Sequence, residues 1–204
     1  MRKNKYDLIL DSAKELMCSD IPSSEITVDM IAKTAGIGKG SIYYYFKSKE
    51  EIIDAVITRS YTAAVGDFIT EINSQENTLE KLRLLFRTIL KSELLDKSKN
   101  VIIDLHLKND IVTNYKLMMM SIKIISPIVT NLLLEGTKEG LLKADYPEES
   151  AQMIVATMTF LLDDSFFPES NESRFRKLKL YAQILETCLK AKQGSFDFLF
   201  KPVE

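Results

Sequence analysis

Lys39, Gly40, Ser41, Tyr43, Tyr44 and Lys47 place two ammonium groups, a bare backbone position, a hydroxyl and two phenols in one short run. At helical spacing Gly40, Tyr44 and Lys47 share a face, flanked by Tyr43 and Ser41. Small, hydroxylated and basic residues on an exposed helix face suit the phosphates and base edges of a DNA groove. Lys49, a little further on, is placed for a phosphate contact, with a solvated lysine as the plain alternative.

Two short helices and a tight turn must position this face. Thr27 is a good N-cap, and Val28, Ile31, Ala32 and Ala35 recur at helical spacing to give an apolar stripe. Gly36 ends that helix, since glycine most cheaply adopts the left-handed conformation needed there. After Ile37 and Gly38 the second helix starts, with Ile42, Tyr45 and Phe46 turned inward. The pattern over 27–46 is that of a helix-turn-helix. Residues 4–18 form an amphipathic helix, with Tyr6, Ile9, Ala13, Leu16 and Met17 on one side, that braces the pair. Two short helices alone bury too little to be stable.

Behind the motif the chain reads as helices throughout. Ser48 and Glu51 form a capping box for a helix carrying Ile52, Ile53, Val56 and Ile57 to about Ile72. Asn77 and Glu80 start the next, with Leu79, Leu82, Leu85, Phe86, Ile89 and Leu90 on one face to about Asp96. Residues 101–113 and 115–137 read as two interior helices, the second kinked at Pro127. Pro147 with Glu148 and Glu149 opens a helix over about 148–164 that is apolar nearly all round, which implies burial on more than one face. The last helix, 172–192, carries Phe175, Leu178, Tyr181, Ala182, Leu185, Cys188 and Leu189 as a long seam suited to a four-helix dimer interface, with two ordinary core helices in a monomer as the alternative. The tail, with Phe196, Phe198, Leu199 and Phe200, is expected to dock on its own subunit.

Whole-chain properties bound the rest. The chain has 204 residues, 46% hydrophobic and 27% charged, with seven glycines and five prolines. That balance favours an all-α fold. The net charge of −2 gives no compositional sign of nucleic-acid binding. Such a reading rests on where the basic residues lie, with Arg2, Lys3, Lys5, Lys39, Lys47 and Lys49 able to share one face. Cys18 and Cys188 lie inside helical patterns and read as buried, reduced thiols, with an intermolecular or redox-sensing role for Cys188 as the alternative. No signal sequence is read at the N-terminus. The longest uncharged stretch, Ser150 to Leu162, is short for a bilayer, so a cytoplasmic protein without membrane contact is expected.

Rival chemistries have little support. Gly36 to Ser41 lacks the Walker spacing, and no strand precedes it for a dinucleotide fingerprint. His106 is the lone histidine, so neither a histidine metal cluster nor a second acid–base histidine is available. No metal, cofactor or enzymatic activity is expected.

The residues quoted from Thr27 to Phe46, with Lys49-Glu50, resemble the DNA-binding signature of the TetR family of bacterial transcriptional regulators over about residues 5–60. Glu139-Gly140-Leu141 and Asp145 to Ala151 resemble the loop that leads into the dimerisation helices of many members. The resemblance implies an all-α chain of about nine helices. A helix-turn-helix head would occupy 1–47 (motif 27–46), a connecting helix 48–72, and an effector-binding and dimerisation domain 73–204. It implies a homodimer, a double-stranded DNA operator and a small-molecule effector, most simply a repressor that the effector releases. An activator, or a regulator without an effector, is the alternative. By position, Thr27 and Lys49 would hold phosphates, and Tyr43 and Tyr44 phosphate and sugar. Lys39, Gly40 and Ser41 would approach base edges. Tyr45 replaces a histidine common in the family. His106, Met119 and Phe86 are candidates for the effector pocket, against the plainer reading of each as core; thioethers suit varied apolar ligands.

Overall fold

In the computed structural model, residues 4–22, 24–90, 111–162 and 167–201 are described. They form eight α-helices and no strand. The helices are α1 (Lys5–Cys18), α2 (Val28–Ala35), α3 (Lys39–Tyr45), α4 (Lys49–Asn73), α5 (Thr78–Leu90), α6 (Ile111–Lys138), α7 (Pro147–Ala156) and α8 (Asn171–Cys188). A π-helical segment, Thr157–Leu161, continues α7, and a 3₁₀ turn, Asp197–Leu199, lies in the tail. The described residues fall into two compact units, one within Met1–Ala64 and Leu95–Leu117, the other within Val65–Leu94 and Met118–Glu204.

In the first unit α1, α2 and α3 pack on one another. The core takes Ile9, Leu10, Ala13 and Met17 from α1, Ile31 and Ala32 from α2, Ile42 from α3, and Ile52, Ile53, Val56 and Ile57 from α4. Asn4 caps α1 by accepting from the Asp7 N–H at 2.8 Å. At the start of α4 the Ser48 hydroxyl accepts from the Glu51 N–H at 3.2 Å. The Glu51 carboxylate reaches back to the Lys47 N–H at 2.6 Å, one residue before the usual partner, so the capping box forms in shifted register. Arg59 of α4 bridges Asp11 at 2.7 Å and Asp7 at 3.7 Å on α1, tying these two helices from outside the core.

In the second unit Asn77 caps α5, accepting from the Glu80 N–H, and the Glu139 carboxylate accepts from the Thr78 N–H at 3.0 Å. A Cβ at Gly136 would lie 2.9 Å from Thr78 Cγ2 and 3.0 Å from Leu142 Cγ, so this close approach requires glycine. Gly140 (φ 72°) then turns the chain, and Pro147 opens α7 at its first turn. Buried Leu178, Tyr181, Ala182 and Leu185 of α8 face the same unit as Ala151, Ile154 and Val155 of α7; the Tyr181 hydroxyl donates to the Ile154 carbonyl at 3.2 Å. The tail docks as expected. Phe196 and Phe198 cluster with Phe86 of α5, Phe200 meets Phe175 edge-on, and the Glu186 carboxylate accepts from the Gly194 and Phe196 N–H groups.

Several expectations are corrected. Both cysteines are exposed rather than buried, because Met17, one residue before Cys18, and Leu189, one residue after Cys188, take the inward positions. α6 runs unbroken from Ile111 past Asn114 and Pro127, so the break expected near residue 114 is absent. The length and composition of Met118–Lys138 would suffice to cross a membrane, but the helix buries Ile125, Val129, Leu132 and Leu133, and its Glu135 pairs with Lys81 of α5, as in the core helix of a folded body. α7 gives way to the π segment instead of continuing as one α-helix to 164. α8 ends at Cys188, and Lys190 takes a positive φ of 48° beyond it.

Most of the seam assigned to a dimer interface is intrachain core. Leu178, Tyr181, Ala182, Leu185 and Leu189 are buried within the chain itself, whereas Leu180 and Ile184 face out.

Candidate nucleic-acid interface

The turn that presents α3 follows from local chemistry. The Thr27 hydroxyl caps α2 by accepting from the Met30 N–H at 3.2 Å. Its own O–H proton stays available to an outside acceptor, because a hydroxyl both donates and accepts. Gly36 adopts the left-handed conformation (φ 65°), and its N–H and that of Ile37 bond back to the Lys33 and Ala32 carbonyls. Gly38, extended, is the N-cap of α3 and supplies no side-chain cap.

α3 keeps Ile42 fully buried and Phe46 nearly so, with Phe46 stacked on Tyr6 of α1 at 5.2 Å. Tyr45 is only partly inward: it is 38% exposed and sits edge-on to both Tyr6 and Tyr44. The inward position expected for it is filled by Phe46, whose ring takes the stacking place against α1.

The opposite face is open. Tyr44 is 83% exposed and Tyr43 51%. Among the described residues a Cβ at Gly40 would meet no atom within 4 Å, so their packing does not require glycine there. Ser41 is half-buried and accepts a long hydrogen bond, 3.5 Å, from the Lys5 ammonium. Lys49 is half-buried and donates to the Ser24 carbonyl at 3.1 Å. The Lys39 ammonium donates to the Asp29 carboxylate of α2 at 2.7 Å. That hydrogen bond, with the charge of Asp29, holds the lysine above its ordinary pKa.

All seven sequence-nominated residues, Thr27, Lys39, Gly40, Ser41, Tyr43, Tyr44 and Lys49, thus belong to the first unit. Asp29 is the neighbour that pattern reading missed. It stands ten residues from Lys39, a separation with no helical meaning, and only the turn brings the two together. Of the pocket candidates, Phe86 is wholly buried under Phe196 and Phe198, and Met119 is partly exposed on α6; His106 lies outside the described residues. Among the described residues no group of three His, Cys, Asp or Glu could hold a metal ion.

Comparison with known proteins decides the family. Residues 9–56 match the family model for bacterial regulatory proteins of the tetR family, and residues 95–184 match that for a tetracyclin repressor-like C-terminal domain. The chain belongs to the TetR family. It is a transcriptional regulator with a DNA-binding helix-turn-helix, and the family is one of regulators rather than enzymes. This TetR-family chain is 26% identical over 158 residues to the fatty acid metabolism regulator protein of Bacillus subtilis, covering 77% of this chain and 81% of that protein. It shares its fold with the fatty acid degradation regulator FadR of Bacillus halodurans: TM-score 0.57, 23% identity, 94% of this chain and 100% of that one. The same holds for RolR in complex with resorcinol: TM-score 0.69, 14% identity, 98% and 95% coverage.

Proposed function

We propose that this regulator is a dimeric repressor that a small-molecule effector releases from its operator. The observation that carries the DNA-reading part is the open face of α3: exposed Tyr43 and Tyr44 beside a glycine that packing among the described residues does not need. Thr27, Lys49, Tyr43 and Tyr44 act on the backbone of the duplex, while Lys39, Gly40 and Ser41 approach base edges. Residues 1–47 serve as the head, 48–72 as the connecting helix, and 73–204 as the effector-binding and dimerisation domain. In the dimer, two α3 helices enter major grooves about one DNA turn, ~34–36 Å, or a multiple apart. The protein acts where the chromosome is, in the cytoplasm.

An organic effector is supported by the relatives: one is named for fatty acid metabolism, and one is solved with resorcinol. Fatty acids are the first probe, because the former covers most of both chains. The test is binding to the DNA upstream of the protein's own gene, with and without added fatty acid or resorcinol. A salt-sensitive, sequence-preferring complex that one of these dissociates is expected. A complex that no small molecule weakens would overturn the effector part. No complex at that site, or at any site selected from random DNA, would overturn the whole.

A further inference from the structure

We propose that Asp29 is a specificity-determining residue of the DNA interface: its carboxylate holds the Lys39 ammonium away from neighbouring phosphates and leaves its remaining protons for a base edge. The proposal rests on the reading of α3 as the DNA-contacting helix. An ammonium on a flexible four-carbon stem offers three protons in almost any direction. On DNA the densest acceptors are phosphates, and a lysine drawn to them contributes affinity without sequence information. The 2.7 Å bond to Asp29 takes one proton and fixes the ammonium beside the first turn of α3. Asp29 stays acceptor-only and repels phosphate, so it opposes the sequence-independent pose and tolerates the base-directed one.

The simpler account is that Asp29 serves α2. It stands in the first turn, where a carboxylate suits the helix dipole. That role does not call for the Lys39 ammonium at hydrogen-bond distance, and Thr27 already caps the helix. The arrangement around Lys39 points the same way. A lysine in the first turn of α3 opposes that helix's dipole, and α3 has neither an acidic residue in its first turn nor a side-chain cap. The compensating charge comes from the neighbouring helix, which couples the starts of α2 and α3 across the turn.

The full-length protein would be used to select binding sites from a random-sequence duplex library. Affinities for the selected site, its single-base substitutions and a non-specific duplex would then be measured for wild type, Asp29→Asn, Lys39→Ala and the double variant. Asp29→Asn is expected to bind non-specific DNA more tightly, to discriminate less at one or two base pairs, and to steepen the salt dependence by about one phosphate contact. In the Lys39→Ala background the same change should leave base preference unaltered, whereas Asp29→Glu with Lys39 in place, which keeps the carboxylate, should preserve the wild-type base preference. Equal tightening on every duplex with unchanged base preference would overturn the proposal. So would a change in preference that persists without Lys39. Asp29→Ser serves in place of asparagine if circular dichroism shows that variant to be unfolded. A wild-type chain that selects no site at all would instead remove the DNA-reading function, a failure visible before any variant is compared.

Discussion

Gly40 is the residue at which folding and recognition make opposite demands. In a helix glycine is worse than alanine by about 1 kcal/mol, and a Cβ here would meet none of the described residues within 4 Å. Gly40→Ala is therefore expected to raise thermal stability slightly while weakening DNA binding, because the new methyl group would stand between the α3 backbone and the groove. A melting curve and a binding isotherm on one sample check both halves; unchanged affinity would remove Gly40 from the interface. The exposed tyrosine phenol makes a different prediction. Tyr44→Ala should weaken binding to all sequences alike, whereas Lys39→Ala or Ser41→Ala should change which base is preferred. A base-substitution series separates the two, and identical profiles would show that base and phosphate roles are misassigned. At this scale the sequence reveals residue types well and pairings poorly. Tyr44 and Gly40 could be placed on an outer face from spacing alone, but the Lys39–Asp29 bond crosses the turn and leaves no periodic trace.

Elements were legible where their determinants are local. The caps at Thr27, Ser48 and Asn77 depend on residues within one turn and form near where spacing places them. Phase was harder wherever a helix is apolar on two sides. In α8 the stripe of Leu178, Tyr181, Ala182 and Leu185 competes with Leu180 and Ile184, and tertiary packing, with the 3₁₀ turn of the tail and the Tyr181 bond to Ile154 of α7, decides which faces inward. The π segment changes the phase at the end of α7. Its last carbonyl, at Leu161, accepts from Lys177 of α8, and that of its cap, Leu162, accepts from Arg174, long-range partners that no local pattern encodes. Two stability predictions belong here. Gly136→Ala should cost about 1–3 kcal/mol by overpacking against Thr78 and Leu142. Gly66→Ala, in open space on α4, should stabilise by up to about 1 kcal/mol; denaturant midpoints compare the two. The Tyr181 hydroxyl adds a pH test. Burial pushes this phenol well above its ordinary value of 10.0, so the stability it contributes is present below pH 10 and is lost as pH rises above it. Tyr181→Phe should cost about 1 kcal/mol near neutral pH through the lost bond to Ile154, and its deficit relative to wild type should close between pH 9 and 11. A gap that stays constant over that range would contradict the burial argument.

For the molecule as a whole, the decisive feature is apolar surface that the single chain leaves uncovered. Met153 of α7 is 71% exposed and Leu180 of α8 57%, with Ile184 one turn beyond Leu180 and with Phe160 and Leu161 exposed on the π segment. Exposed apolar side chains of this kind on successive helices are where a second copy would close a four-helix interface. Because Leu180 and Ile184 contribute little to the core of the single chain, replacing both with glutamate should leave folding within about 0.5 kcal/mol of wild type at each site. The same change would place charges where an isologous interface needs hydrocarbon. The expected outcome is a folded monomer at micromolar concentration by sedimentation. Its affinity for a two-half-site operator should fall by about 10²–10⁴, the avidity lost when the heads are no longer linked, while its affinity for one half-site stays close to that of wild type. Leu178→Glu, inside the same helix but buried, is the contrast and should unfold the chain instead. If the double variant still sediments as a dimer, another surface pairs the heads. If wild type is a monomer that nonetheless binds a selected site tightly, the head reads DNA singly and the exposed face of α7 and α8 serves another purpose.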